Sequence, residues 1–209
     1  GTQAIFYERP EVLTISLHQD RCYPVDSGGL EERGARAGFG ANLNVPLPPG
    51  SGEGAYSEAM RRVVVPALER FGADLVIVAS GFDASAYDPL GRMLLHSGSY
   101  RDLAQTMLDA CGGRLVMVHE GGYSEFYVPF CAIAVVEALV GAPPTVEDPY
   151  LDEARAMAGH ALTDEQRRII DAAAGLLDEV PSRSPAPADR PRDGSTAPGS
   201  RDLRGDAPA

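Results

Sequence analysis

The chain has 209 residues, 44% hydrophobic and 23% charged, with a formal net charge of −12, the makeup of a globular protein of one domain plus an addition. The acidic balance argues against direct nucleic-acid binding, which needs a basic surface; no apolar run reaches the roughly 18 residues that span a bilayer, and no basic segment followed by an apolar one marks a secretory signal. Cys22, Cys111 and Cys131 are too few and too scattered for a disulfide framework or a CxxC zinc site, so a reducing, cytoplasmic compartment is expected.

In chain order, Val12-Leu13-Thr14-Ile15-Ser16-Leu17 is a short β-branched, apolar run and reads as a strand. Residues 18–53 are rich in Gly and Pro and hold no long periodic segment, so they read as a long functional loop. Ser57 to Phe71 is helical, with Met60, Val63, Val64, Ala67 and Leu68 on one stripe. Leu75 to Ala79 is a second strand, and Ser97 to Ala110 a helix with Leu103, Met107 and Leu108 facing inward. Leu115 to Val118 is a third strand and Phe126 to Val140 a third crossover helix, in which Cys131 reads as a small core residue. Two further helices are expected over 150–159 and 163–178, with Thr163 and Glu165 suiting the start of the second. Residues 181–209 alternate Pro with Ala, Gly, Ser and Arg around a single large aliphatic residue, Leu203, and are expected to be disordered.

Strands alternating with helices predict an α/β fold with a parallel sheet and right-handed crossovers. Ligands in such sheets bind beyond the carboxyl ends of the strands. His18-Gln19-Asp20, Gly81-Phe82-Asp83 and Glu120-Gly121-Gly122-Tyr123 are therefore expected along one sheet edge, close enough to share a site.

Asp83 and Asp88 lie in the loop after the second strand. They suit either a metal ligand or a solvated loop carboxylate or helix cap. His119 reads more readily as a hydrogen-bonded histidine at the sheet edge than as a ligand. Gly121-Gly122 permits positive φ or close approach of backbone to a ligand. A phenol at Tyr123 could donate to a developing oxyanion, or be an ordinary loop tyrosine. His18 is a lone histidine after a strand, and His96 and His160 have no partner at ligand spacing. No HExxH, GxGxxG, P-loop or GxSxG pattern occurs.

Several segments, in this order, resemble the histone deacetylase superfamily: Gly1-Thr2-Gln3-Ala4-Ile5-Phe6-Tyr7, Ile15-Ser16-Leu17-His18-Gln19-Asp20, Asn42-Leu43-Asn44-Val45-Pro46-Leu47-Pro48-Pro49-Gly50, Gly81-Phe82-Asp83-Ala84 with Asp88-Pro89-Leu90-Gly91, and His119-Glu120-Gly121-Gly122-Tyr123. The likeness is to the bacterial class II-type branch, the histone deacetylase-like amidohydrolases, and covers about residues 1–142. It implies an arginase/deacetylase-like three-layer α/β/α fold with a mostly parallel sheet, and a zinc-dependent hydrolase acting on acetylated lysine or polyamine. It implies that Asp83 is one of three zinc ligands and that Tyr123 binds the oxyanion. By the same resemblance Ser16 and Leu17 contribute to a potassium site. Backbone oxygens near Phe6, Arg9 and Val12 would form a second monovalent site. Tyr23, Leu90, Gly121 and Gly122 would line the acyl-lysine channel.

The family's DxDxHHGNGTQ motif ends in the Gly1-Thr2-Gln3 that opens the chain. The resemblance thus places the other zinc Asp, the zinc His, part of the potassium site and the paired general-base histidines before residue 1. The expected organisation is a C-terminal portion of the catalytic domain over 1–142, a helical extension over 143–180 and the tail over 181–209. Such a fragment is expected to be inactive alone; the alternative is a non-catalytic α/β module or pseudoenzyme that needs a partner for the missing half. Oligomeric state is left open.

Overall fold

The computed structural model describes residues 1–182; apart from Pro181 and Ser182, the tail expected to be disordered lies outside the described residues. A short helix α1 (Thr2–Phe6) precedes β1 (Thr14–Gln19) and β2 (Asn42–Leu47). Helix α2 (Glu53–Ala59) runs through a π-helical turn (Met60–Val64) into α3 (Val65–Phe71). Then follow β3 (Val76–Ser80), α4 (Ser97–Ala110), β4 (Leu115–His119), α5 (Val128–Leu139), α6 (Leu151–Ala156) and α7 (Asp164–Ala174). The α/β alternation and parallel pairing agree with the sequence.

Two expectations are corrected. The segment 18–53 is not all loop, because Asn42–Leu47 pairs in parallel with β1 from Thr14↔Asn42 to Gln19↔Leu47. Asn is depleted in strands and Pro46 lacks an N–H, so local propensity masks this strand. Burial overrides propensity: all six β2 residues are buried. Leu43, Val45 and Leu47 join the main core. The Nδ2 groups of Asn42 and Asn44 each donate to Gln3 Oε1 at 2.8 Å, which satisfies the polar face. The second correction concerns the sheet. The described strands form two separate two-stranded pairs, β1–β2 and β3–β4, rather than one ladder; the pairs meet where Ile15 and Leu17 pack on the cluster containing Val76 and Met107.

The long helical segment is interrupted because Pro66 cannot donate back along it. The chain widens into the π-turn just before, and Pro occupies the first turn of α3. Gly72 ends α3 in the left-handed region at φ 65°. Thr163, one of the two residues that suit a helix start, caps α7 in a capping box with Gln166. The segment expected as an extension seats Ile170, Ala173 and Val180 in the same core as β2.

One face of β3–β4 is apolar and uncovered: Ile77 is 65% exposed, and Val116 and Val118 are 46% and 45%. Ile77 and Val116 are register partners, so these side chains form a continuous patch.

Leu47 is fully buried in the main core. Leu47→Ala is expected to lower the unfolding free energy by about 2–5 kcal/mol, read from urea denaturation. A cost near zero would show that β2 is not held in the core as described.

Candidate functional site

Parallel, in-register pairing carries the chain ends of β3 and β4 to the same level, Ser80 opposite His119. Backbone bonds continue across the loops beyond. Glu120 N–H donates to Ser80 O at 3.1 Å and Phe82 N–H to Gly121 O at 2.7 Å. Phe82 is buried beneath, with its ring 5.1 Å from both Tyr100 and His119. His119 thus packs on Phe82 at the strand end.

Asp88 ties the two loops together. Its Oδ1 accepts from Leu90 N–H at 2.9 Å and Gly91 N–H at 3.0 Å, and its Oδ2 accepts from Tyr123 N–H at 2.8 Å. At 8% exposure this carboxylate is engaged in holding backbone. Asp83 differs. It is half-buried, and its carboxyl is held above the usual range, first by desolvation and then by the Asp88 charge, against the opposing pull of its own backbone N–H. Gly81 and Gly121 clear space around it: a Cβ at Gly121 would lie 2.4 Å from Asp83 Oδ2, and one at Gly81 2.7 Å from Oδ1. A desolvated carboxylate between two glycines suits coordination of a cation. Gly122, at φ 135°, brings Tyr123 round the turn; the tyrosine is 55% exposed.

Of the three strand-end groups, the second and third converge. The first is joined to them by Gln19, whose Oε1 accepts from Arg92 N–H at 2.8 Å. His18 turns elsewhere, donating from Nε2 to Gly28 O at 3.1 Å and accepting at Nδ1 from the Ser16 hydroxyl at 2.8 Å. Burial lowers its proton affinity. Leu17 is half-buried in β1, and Tyr23 and Leu90 are exposed. Phe6 ends α1, and Arg9 and Val12 follow it: Arg9 N–H donates to Phe6 O at 2.9 Å and Val12 N–H to Arg9 O at 3.3 Å.

The sequence reading missed two groups. Asp148 accepts at Oδ2 from the Ser97 hydroxyl at 2.6 Å and the Tyr127 phenol at 3.0 Å, tying together the starts of α4 and α5. Glu53, His96 and His160 also come together, although nothing in their spacing signals it. Among the described residues, this is the group of three side chains placed to share a metal, and it does not include Asp83.

An α/β domain with a half-buried carboxylate and a tyrosine at adjacent parallel strand ends is the class of protein the geometry defines. Residues 1–139 match the family model described as the histone deacetylase domain, and the chain belongs to that family. It is 58% identical over 156 residues to a histone deacetylase-like amidohydrolase of Pseudomonas aeruginosa, covering 73% of this chain and 41% of that protein. It is 42% identical over 159 residues to histone deacetylase 8 of Arabidopsis thaliana, covering 71% of this chain and 42% of the relative. The solved structure of the histone deacetylase Clr3 superposes with a TM-score of 0.75 at 32% identity, over 94% of this chain and 32% of that one. The fold is therefore the arginase/deacetylase-like α/β fold. The chain spans about two fifths of the length of these two curated relatives.

Asp88→Ala removes the acceptor of three backbone N–H groups. It is expected to cost roughly 2–4 kcal/mol and to speed hydrogen exchange at the Tyr123 amide. Unchanged exchange there would show that Asp88 does not hold the turn.

Proposed function

We propose that this chain carries part of the active site of a zinc-dependent deacetylase that removes acetyl or a similar acyl group from lysine or polyamine nitrogen. The observation that supports this best is the placement of Asp83 and Tyr123 on loops joined by the Asp88 bonds, with glycines flanking the Asp83 oxygens. In this reading Asp83 is one zinc ligand. Zinc, when bound, supplies polarisation of the substrate carbonyl and a water of lowered pKa. Hydrolysis forms a C–O bond and breaks the amide C–N bond, the leaving amine taking a proton. The Tyr123 phenol donates a hydrogen bond to the oxyanion that develops on the carbonyl. Tyr23, Leu90, Gly121 and Gly122 line the approach of the acyl-lysine arm. Ser16 and Leu17 contribute oxygens to a structural potassium site, and the backbone around Phe6, Arg9 and Val12 to a second monovalent site. Free Cys22, Cys111 and Cys131 accord with a reducing, cytoplasmic setting, and no helix among the described residues is long and apolar enough to cross a membrane. The catalytic part is assigned to 1–142, with 143–180 as a helical extension of it.

A second reading, a non-catalytic module completed by another polypeptide, is favoured by the uncovered apolar face of Ile77, Val116 and Val118. Both readings give the 209-residue chain no turnover by itself on an acetyl-lysine reporter; measurable turnover would overturn that expectation. They part in a polypeptide that supplies the full ligand set: deacetylation there supports the first reading, and its absence with the zinc site filled supports the second. In that polypeptide Tyr123→Phe is expected to lower kcat about 10²–10³-fold with zinc content unchanged. Near-normal kcat would remove Tyr123 from the role.

A further inference from the structure

Glu53, His96 and His160 reach one point from three parts of the chain. Glu53 is in the first turn of α2, His96 is the N-cap of α4, and His160 lies in the connection between α6 and α7. Each offers a ligand atom, and the three atoms lie within 4.8 Å of one another. His96 Nε2 stands 3.2 Å from Glu53 Oε2, and the two imidazole rings are 5.4 Å apart between centroids. His96 is fully buried.

The informative atom is His160 Nδ1. The ring donates from Nε2 to Ala154 O at 2.8 Å, so in the neutral imidazole the lone pair is on Nδ1. That nitrogen is buried and has no hydrogen-bond partner among the described residues. It faces the start of α2: a Cβ at Gly52, the residue before Glu53, would stand 2.7 Å from it. Buried nitrogen acceptors are ordinarily paired, so an unpaired Nδ1 beside a carboxylate and a second imidazole is a candidate ligand atom. Two His and one Glu with room for a further ligand is a donor set that suits zinc.

We propose that Glu53, His96 and His160 form a zinc site, separate from Asp83, that fastens the α6–α7 connection to the starts of α2 and α4. His160 O already accepts from Gly54 N–H at 2.9 Å, so the ion completes a junction that backbone has begun. His96 Nδ1 accepts from Ser99 N–H at 3.1 Å, which puts the ring proton on Nε2, toward Glu53. Zinc takes that nitrogen, the proton moves to Nδ1 by way of solvent, and the Ser99 bond is given up. Binding is thereby coupled to the α4 cap. Burial first, and then the Arg155 charge, lower the proton affinity of His96; the Arg155 charge also opposes a cation, as do the partial positive charges of the two helix starts. Removing the Arg155 charge should therefore tighten the site.

The test uses the 209-residue chain stripped of metal and titrated with Zn2+ alone, followed by calorimetry, thermal melting and imidazole 15N shifts. The expected result is uptake of one equivalent at this site, a rise in Tm reversed by EDTA, and a metal-induced shift of the His160 Nδ1 resonance. His160→Gln is expected to weaken that uptake by more than about tenfold, the scale on which even outer-shell partners matter. Asp83→Asn should leave it intact and Arg155→Gln should strengthen it. No uptake, or uptake lost in Asp83→Asn and kept in His160→Gln, would overturn the proposal. The 15N shifts of the unmutated chain decide the matter if a variant fails to fold: unmoved His160 and His96 rings at saturating Zn2+ would also overturn it.

Discussion

Parallel pairing of β3 with β4 is the constraint from which the candidate active site follows. Because the strands run in the same direction and in register, their carboxyl ends finish together, Ser80 opposite His119. Two loops that are far apart in sequence then emerge side by side. The ladder does not stop at the last strand residues, since Phe82 N–H still reaches Gly121 O at 2.7 Å. Asp88 then closes the arrangement by accepting from the backbone of both loops. Two carboxylates five positions apart, Asp83 and Asp88, thus have different tasks. The more buried one is spent on backbone donors, and the other is left desolvated between glycines. Separate environments for neighbouring acids are how a fold assigns them separate roles.

Around this pair the rest of the fold acts as support. Buried β2 provides the floor of the main core, and α7 packs on it. Asp148 binds the starts of α4 and α5 together through Ser97 and Tyr127, and an aromatic group of Tyr87, Phe126, Tyr127 and Tyr150 fills the space between them. The support is one-sided. The β3–β4 face carrying Ile77, Val116 and Val118 is open.

Much of this was legible residue by residue. Helix α4 has the bounds its periodicity indicates, β3 is shifted by one residue from the expected run, and β4 runs one residue further. The apolar stripe through Met60, Val63, Val64 and Ala67 faces inward as read. Strand β2 was not legible from propensity, since Asn42, Asn44 and Pro46 argue against a strand unless Gln3 is known to lie over them. The single shared sheet edge was over-drawn: His18 is consumed by Ser16 and Gly28, and only Gln19 reaches toward the site.

What the sequence determined by itself was local or motif-borne: the α/β alternation, the strand-end loops holding Asp83 and Tyr123, and membership of the deacetylase family. Periodicity, capping residues and motif order are written within a few residues of where they act. The tertiary structure alone decided that Asp88 would hold Tyr123 across 35 positions and that Glu53 would meet His96 across 43. Contacts over such separations depend on how whole elements pack, and no short-range pattern encodes which buried polar groups will find one another.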